Sequence, residues 1–175
     1  MGRVAAVVLA AGEATRFGAP KQRILLPAVL GRLALARSAV DEIVVVGGAY
    51  ELKPLAGAST VRIVMCPDWA RGPGASLRCG LASLAEDVEA AVVVLADGPE
   101  LAPESVERVL ATWRAQGGVV AASYGRDRGH PLVIGREDWG DIPHDGLRDR
   151  AVRLVPCDDL GPPGDVDTPD DLNVL

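Results

Sequence analysis

Two apolar segments of this sequence lack polar residues at alternate positions, and they restrict the fold more than any other feature. They read VAAVVLAA over residues 4–11 and AAVVVLA over residues 90–96. A strand with one face in water alternates apolar and polar residues, so uninterrupted runs rich in valine indicate strands covered on both faces. The sequence therefore predicts a mostly parallel sheet with helices packed on each side.

Strand and helix patterns alternate along the chain. One predicted helix, Ala75–Ala85, carries an apolar stripe of Leu77, Leu81 and Leu84; the other, Pro103–Ala115, begins with proline and ends before two glycines. This repeated order predicts a three-layer, Rossmann-like α/β fold. The predicted strands are Arg3–Ala10, Glu42–Val46, Val61–Met65, Ala91–Ala96 and Val119–Ser123, with weaker candidates at Pro131–Ile134 and Val152–Val155.

Composition excludes several classes of protein. The chain has 175 residues, 49% of them apolar, which suits one globular domain over residues 1–175. Eighteen Lys and Arg against 24 Asp and Glu give a formal charge of −6, and no basic cluster is present, so nucleic acid is not an expected partner. The apolar runs are far shorter than the roughly 18 residues that cross a membrane.

The N-terminus and the cysteines favour a cytoplasmic protein. Arg3 and the apolar run after it resemble the start of a signal peptide, but a first strand that leads into an anion-binding loop explains them better. The sequence has an odd number of cysteines, which are widely spaced and include no CxxC pair: Cys66, Cys79 and Cys157. We therefore expect free thiols in a reducing compartment and no zinc site.

The segment LAAGEATRFGAPKQRILLP, from Leu9 to Pro27, follows the first strand directly. Small residues and two glycines allow a ligand to approach the backbone, and Arg16 and Lys21 lie in the same stretch. A loop at the carboxyl end of a strand in an open α/β sheet is the expected place for a phosphate. A plain glycine-rich turn with two solvated basic residues is the alternative.

Two common phosphate-binding patterns do not fit this loop. Gly12 is followed by Glu13, Ala14 and Thr15, which breaks GxGxxG, and Gly12 and Gly18 are six residues apart, which breaks the Walker pattern. LAAGEATRFGAPK instead resembles the signature of MobA-like NTP transferases. The LAAG form looks most like the molybdenum cofactor cytidylyltransferases of that family.

The resemblance implies a nucleotidyltransferase fold and roles for the loop residues. The nucleotide, CTP by resemblance, would be held by Leu9, Ala10, Ala11 and Gly12. Arg16 and Lys21 would act as catalytic residues that bind the β- and γ-phosphates. One departure concerns the stretch from Lys21 to Glu42, which is shorter than expected for the family. We expect a trimmed helix of about three turns there.

Carboxylates follow other predicted elements. Asp97 ends the buried run 90–96, where a side chain would point into the crevice at the sheet edge; capping the helix near Pro103 is the alternative. In the resembled family this Asp binds a divalent metal. A segment near the C-terminus resembles a second metal contact, which favours Asp165 over Asp167, although a plain loop remains the alternative for Asp165. Mg²⁺ or Mn²⁺ is the implied cofactor, because it bridges carboxylates and phosphates.

Two further segments resemble the family. WARGPGASLRCGL, residues 69–81, places Gly74 and Ser76 near the base and ribose, with Ser76 or Gly74 as helix N-cap. RGHPLVIG, residues 128–135, places His130 near the acceptor phosphate; a loop histidine bonded to backbone is the alternative. Thr168 is predicted to cap a final turn that begins at Pro169.

Together these features predict transfer of a nucleoside monophosphate, CMP by resemblance, onto a small phosphorylated acceptor such as molybdopterin, with release of pyrophosphate. Phosphate is already ionised at neutral pH, so the reaction requires positioning and charge neutralisation more than a protein base. Three alternatives stay open: guanylyl transfer, sugar-1-phosphate activation, and a non-catalytic binding module with a molybdoenzyme as partner. An NAD-dependent oxidoreductase is disfavoured by the missing glycine pattern.

Overall fold

The computed structural model describes residues 2–36, 39–53 and 60–174, which contain seven strands in one sheet of order β3-β2-β1-β4-β6-β5-β7. Every neighbouring pair is parallel except the two that involve β6. The mostly parallel α/β sheet predicted from the apolar runs is therefore confirmed. The strands are β1 (Arg3–Ala10), β2 (Glu42–Gly47), β3 (Val61–Met65), β4 (Val88–Leu95), β5 (Val119–Tyr124), β6 (Asp127–Gly135) and β7 (Arg153–Pro156).

The apolar runs have no alternation because each strand contributes to two cores. On β1, Val4, Ala6 and Val8 face one core, whereas Ala5 and Val7 face the other. The first core is closed by helices α1 (Lys21–Leu35) and α3 (Pro103–Gln116), and the second by helix α2 (Pro73–Ala82). Both faces of the central strands are thus removed from water, which gives the three predicted layers.

The predicted ends of helix α3 agree with the structure more closely than those of helix α2. Helix α3 begins at Pro103 as predicted and ends one residue later, with Gly117 in the left-handed region at φ 66° after it. Helix α2 begins two residues before and ends three residues before the prediction, but Leu77, Leu81 and Leu84 are all buried in the second core. No helix in the described ranges is both long enough and apolar enough to cross a bilayer.

The expectation of a trimmed helix after Lys21 is wrong. Helix α1 has 15 residues, begins at Lys21 itself and continues through Pro27; residues 37–38 lie outside the described residues. A proline inside a helix removes one backbone hydrogen bond and costs about 3 kcal/mol in an isolated helix. Packing of Leu26, Val29 and Leu33 against the sheet offsets that cost, which local sequence rules do not weigh.

The N-cap predicted for helix α2 is also wrong. Gly72 occupies the N-cap position at φ 126°, no side chain among the described residues caps the helix, and Ser76 is buried inside its first turns. The left-handed conformation of Gly72 lets the chain turn sharply into Pro73, and proline is favoured in a first helical turn. Glycine and proline together therefore start this helix without a hydroxyl cap.

Two of the three cysteines are bonded to each other, which corrects the expectation of free thiols. Cys66 follows β3 and Cys79 lies in α2, and their Cα atoms are 5.8 Å apart in a disulfide. The spacing of these cysteines in the sequence did not predict the disulfide, because the two residues come close only when α2 packs beside β3. Cys157 is buried and free, as expected.

The disulfide gives a stability prediction. Because it closes a loop between residues 13 apart, Cys79→Ser should lower the free energy of unfolding by about 3 kcal/mol. Urea unfolding with and without reductant measures this. Reductant should destabilise the wild type by the same amount and leave Cys79→Ser unchanged; equal stability of all four samples would contradict the prediction.

Candidate active site

The loop after β1 and Asp97 after β4 meet at one edge of the sheet. The two strands are adjacent and parallel, with Leu9 opposite Leu95, so the chain leaves both strands at the same edge. A cavity of about 300 Å³ opens there, called the loop cavity below. It is lined by Leu9, Ala10, Gly12, Ala14, Thr15, Arg16, Lys21, Gln22, Leu95, Ala96, Asp97 and Asp167.

The backbone of the loop is open to this cavity at Gly12. A Cβ at Gly12 would meet only the amide nitrogen of Gln22, at 3.8 Å. The Ala11 carbonyl instead accepts a hydrogen bond from the Ala49 backbone N–H at 3.0 Å, so Ala11 supports the loop from behind. The predicted residues Leu9, Ala10 and Gly12 thus line the cavity, whereas Ala11 does not.

Gln22 is a site residue that the sequence analysis missed. Its side chain is 5% exposed, and its Nε2 donates a hydrogen bond of 2.7 Å to the Gly12 carbonyl. Its Oε1 is buried with no hydrogen-bond partner in the described part of the chain. Gln22 therefore fixes the loop from helix α1, a role with no sequence signal beyond its place after Lys21.

Lys21 lies at the centre of the charged groups. Its ammonium, on a side chain only 8% exposed, is 3.0 Å from Asp97 Oδ2 and 3.3 Å from Asp167 Oδ1. It also donates to the Val166 carbonyl oxygen at 2.5 Å. Arg16, by contrast, is largely exposed and is 2.7 Å from the second oxygen of Asp167. The two predicted cations therefore converge on the acidic residues.

Asp97, Asp165 and Asp167 form one acidic cluster, in which one oxygen from each lies within 4.8 Å of the others. Asp165 is exposed and has no cationic partner within 4.0 Å among the described residues. Partial desolvation, and then the charges of Asp97 and Asp167, raise the pKa of the Asp165 carboxyl. Three carboxylate oxygens that lie this close and repel one another form the kind of site that binds hard divalent cations.

The C-terminal segment reaches the cluster through an apolar contact. Val166 is 2% exposed and packs with Phe17 of the loop and Leu25 of helix α1. Its backbone N–H also donates to the Asp97 carbonyl at 3.2 Å. Because Val166 lies between Asp165 and Asp167, its burial fixes the segment that carries both carboxylates at the cluster.

The turn that follows is fixed by Asp171 rather than by Thr168. One carboxylate oxygen of Asp171 accepts hydrogen bonds from the Asp167 N–H at 3.0 Å and from the Thr168 N–H and hydroxyl at 2.7 and 2.9 Å. The hydrogen bonds from Thr168 and Asp167 lower the pKa of Asp171. A short helical segment, Pro169–Val174, begins at the predicted residue.

Gly74 and Ser76 do not line the loop cavity. The Gly74 N–H donates to the His144 carbonyl at 2.8 Å, and a Cβ at Gly74 would overlap the Pro143 carbonyl oxygen. Ser76 is 4% exposed within helix α2. Gly74 therefore allows the loop around residue 144 to pack closely on this helix.

A second cavity, of about 540 Å³, shares Leu9 and Leu95 with the first and is called the histidine cavity. Apolar side chains form much of its wall, and His130, Arg128 and Arg148 supply polar groups. Desolvation, and then the charge of Arg128, lower the pKa of His130 to about 4. The imidazole is therefore neutral at neutral pH. His130 lies within β6, whose start in the structure is four residues before the predicted one.

A model of the MobA-like NTP transferase domain matches residues 6–156. The chain belongs to this family. The resemblance drawn from LAAGEATRFGAPK is thus confirmed, and so is a nucleotidyltransferase fold of Rossmann-like type.

Solved structures agree with this assignment to the MobA-like NTP transferases. Rv0371c from Mycobacterium tuberculosis H37Rv is 27% identical, with a TM-score of 0.76 over 98% of this chain and 97% of that one. A structure of Rv0371c in complex with manganese has a TM-score of 0.73 at 27% identity and covers 99% of this chain and 97% of that one. CMP:2-keto-3-deoxy-manno-octonic acid synthetase complexed with CTP has a similar fold, with a TM-score of 0.74 at 14% identity over 98% of this chain and 96% of that one. No curated protein matches the chain.

The lowered pKa of His130 gives a prediction about pH. An unfolded imidazole titrates near 6.5, so the unfolded state binds a proton before the folded state does. The stability that His130 contributes is therefore complete above about pH 6.5 and is lost as the pH falls towards 4. NMR titration of the imidazole resonances, with His144→Gln to assign the two histidines, measures this. A midpoint of His130 near 6.5 would contradict it.

Proposed function

We propose that the protein transfers a nucleoside monophosphate from a nucleoside triphosphate, CTP in the favoured case, to a small phosphorylated acceptor. An acceptor phosphate oxygen attacks the α-phosphorus, the new P–O bond forms, and the bond to the β-phosphate breaks to release pyrophosphate. The observation that carries this proposal is the convergence of Lys21, Arg16 and the acidic cluster on an open glycine loop. We propose that residues 1–175 act as one catalytic domain, because the described residues form a single sheet and these groups meet at one edge of it.

The loop and the two cations bind the nucleotide in this proposal. Leu9, Ala10 and Gly12 contact it from the loop cavity, with Ala11 and Gln22 holding the loop in place. Arg16 is exposed beside the cavity, and its planar guanidinium suits paired phosphate oxygens. Lys21 neutralises charge that develops on the leaving pyrophosphate.

The acidic cluster fits Mg²⁺ or Mn²⁺ by its chemistry. Its donors are all carboxylate oxygens, the ligands that both ions prefer, and one oxygen from each residue lies within 4.8 Å of the others. Asp97 and Asp165 would hold the ion, since Asp167 has both oxygens paired with Lys21 and Arg16. When bound, the ion neutralises the triphosphate and links it to the carboxylates. That the structure of Rv0371c, 27% identical to this chain, is a complex with manganese supports a divalent ion as the cofactor.

The histidine cavity is the proposed acceptor site. It joins the loop cavity at Leu9 and Leu95, so an acceptor there lies beside the nucleotide. Its apolar walls suit a flat ring system, and Arg128 and Arg148 suit a phosphate on that ring. His130, being neutral, would donate or accept a single hydrogen bond without adding charge. Gly74 contributes indirectly, because its close packing seats Pro73 at the cavity wall.

Two finer assignments rest on the resemblance. CTP is favoured by the LAAG form of the loop and is consistent with the fold of a synthetase complexed with CTP. A molybdopterin-type acceptor follows from the molybdenum cofactor cytidylyltransferases that this loop resembles. A non-catalytic module for molybdoenzyme maturation lost its main support when helix α1 proved to be four turns long.

Thermal-shift measurements test the binding step. CTP, GTP, ATP and UTP are each added with and without Mg²⁺, and a ligand that binds only the folded state raises the melting temperature. CTP with Mg²⁺ should give the largest rise. Pyrophosphate release on adding a phosphorylated pterin then tests catalysis. No shift with any nucleotide would overturn the proposal.

Removing the carboxylate at the end of β4 should weaken binding of the metal–nucleotide complex. Asp97→Asn is expected to cost about 2 kcal/mol or more, at least ~30-fold in affinity, because it removes the charge of one of the two carboxylates proposed to hold the ion. Calorimetric titration with CTP and Mg²⁺ measures this. Asp170→Asn, the same charge change at an exposed position, is the control. Equal affinities of the two variants would contradict the assignment.

Truncating the apolar contact of the C-terminal segment should have a similar effect. Val166→Ala removes buried methyl groups between Phe17 and Leu25 and should cost roughly 1–2 kcal/mol of stability. It should also weaken binding of CTP with Mg²⁺ at least several-fold, because Asp165 and Asp167 lose their position. Val155→Ala, buried at β7 on the far edge of the sheet, should lose stability alone. The comparison of unfolding and titration data separates the two effects.

A further inference from the structure

The ammonium of Lys21 is already held by oxygens of the protein. It has three N–H groups and no acceptor. Three oxygens surround it: the Val166 carbonyl at 2.5 Å and Asp167 Oδ1 at 3.3 Å accept hydrogen bonds, and Asp97 Oδ2 at 3.0 Å forms an ion pair. In this arrangement Lys21 is engaged with the protein rather than with a phosphate, although its side chain lines the loop cavity.

One of these oxygens, Asp97 Oδ2, belongs to a carboxylate of the proposed metal site, and Asp167 lies in the same acidic cluster. The cluster contains three carboxylates, and Lys21 and Arg16 bring two cationic groups into direct contact with it. A divalent cation bound through Asp97 and Asp165 would compete with Lys21 for Asp97 and would repel its ammonium at close range. The Lys21 ammonium and a free divalent cation therefore compete for the acidic cluster.

A polyphosphate changes this competition. The lysine side chain has a flexible four-carbon stem, so its head can leave the cluster without any movement of helix α1. The loop cavity beside it is open at Gly12, and a phosphate there would offer new acceptors for all three N–H groups. Arg16, already exposed at the rim, can move in the same way.

We infer that Lys21 determines a specificity of this site: it makes the acidic cluster accept a divalent cation together with a polyphosphate in preference to the free cation. Lys21 neutralises the cluster in the free protein, and a phosphate draws it away when the cation arrives. This inference rests on the proposed function and adds to it a coupling between metal and nucleotide. Such coupling is reciprocal, so the nucleotide must also bind more tightly with the cation than without it.

The experiment measures Mn²⁺ binding directly, by the loss of the free Mn²⁺ signal in electron paramagnetic resonance. Wild-type protein is titrated with Mn²⁺ alone and then in the presence of α,β-methylene CTP, which cannot transfer its nucleotide; a titration of the analogue without protein corrects for Mn²⁺ bound to the analogue in solution. The dissociation constant for Mn²⁺ in the wild type should fall at least about tenfold when the analogue is present. Nucleotide affinity with and without Mn²⁺ provides the reciprocal measurement.

Variants distinguish a specific effect of Lys21 from an effect of the net charge of the protein. Lys21→Met should bind Mn²⁺ alone at least about tenfold more tightly than the wild type, bind the analogue with Mn²⁺ more weakly, and so lose most of the coupling. Lys21→Gln gives the same test with a polar side chain, and circular dichroism confirms the fold of each variant. Arg23→Met is the matched control: it removes one positive charge from an exposed position on α1, where Arg23 bonds only the Glu51 carbonyl among the described residues. It should behave as the wild type does.

Three results would overturn the inference, and only one of them would also overturn the proposed function. If Mn²⁺ alone binds equally to the wild type and to both Lys21 variants while nucleotide binding is retained, Lys21 does not compete with the cation for the cluster. The inference is then wrong and the proposed function stands. If the analogue fails to bind the wild type with or without Mn²⁺, the proposed function and the inference fall together. Tighter Mn²⁺ binding in Arg23→Met as well as in Lys21→Met would also overturn it, since net charge would then explain the effect.

Discussion

The ammonium of Lys21 connects three parts of the chain that are far apart in sequence. It lies at the first residue of helix α1, and it contacts Asp97 after β4 as well as Val166 and Asp167, which are 145 and 146 residues away. An ammonium removed from water is costly unless carboxylates and hydrogen bonds compensate it. The site therefore depends on bringing the acidic cluster to this lysine, and in the free protein the lysine compensates the negative charge of the cluster.

The sheet makes this meeting geometrically simple. Since β1 and β4 are adjacent and parallel, the loop and Asp97 leave the same edge, and only the C-terminal segment has to be brought in from elsewhere. The contact of Val166 with Phe17 and Leu25 performs that task with apolar surface rather than charge. The carboxylates on either side of Val166 can consequently exchange partners while the segment that carries them stays fixed.

The sequence predicted those features that depend on local pattern. Runs without alternation identified the doubly covered sheet, and the glycine loop, Asp97 and Asp165 were found because each follows or resembles a recognisable segment. Features that depend on packing between distant segments were not predictable. The Cys66–Cys79 bond, the continuation of helix α1 through Pro27 and the burial of Val166 all require knowledge of which surfaces meet. Pairing of Lys21 with carboxylates was missed for the same reason, since the loop alone suggested only phosphate.

Strand β6 runs against its neighbours, and this reversal has a consequence for how such a site can diversify. Leu132 pairs with Val93 of β4, so the beginning of β6, with His130, lies at the edge where β4 ends. Arg128, Gly129 and His130 at the start of β6 thus line the histidine cavity, while the loop cavity is built from β1, α1 and β4. Substitutions at the start of β6 would therefore reshape the histidine cavity and leave the loop cavity intact. Under the proposed function, a lineage could acquire new acceptors in this way while keeping its nucleotide donor.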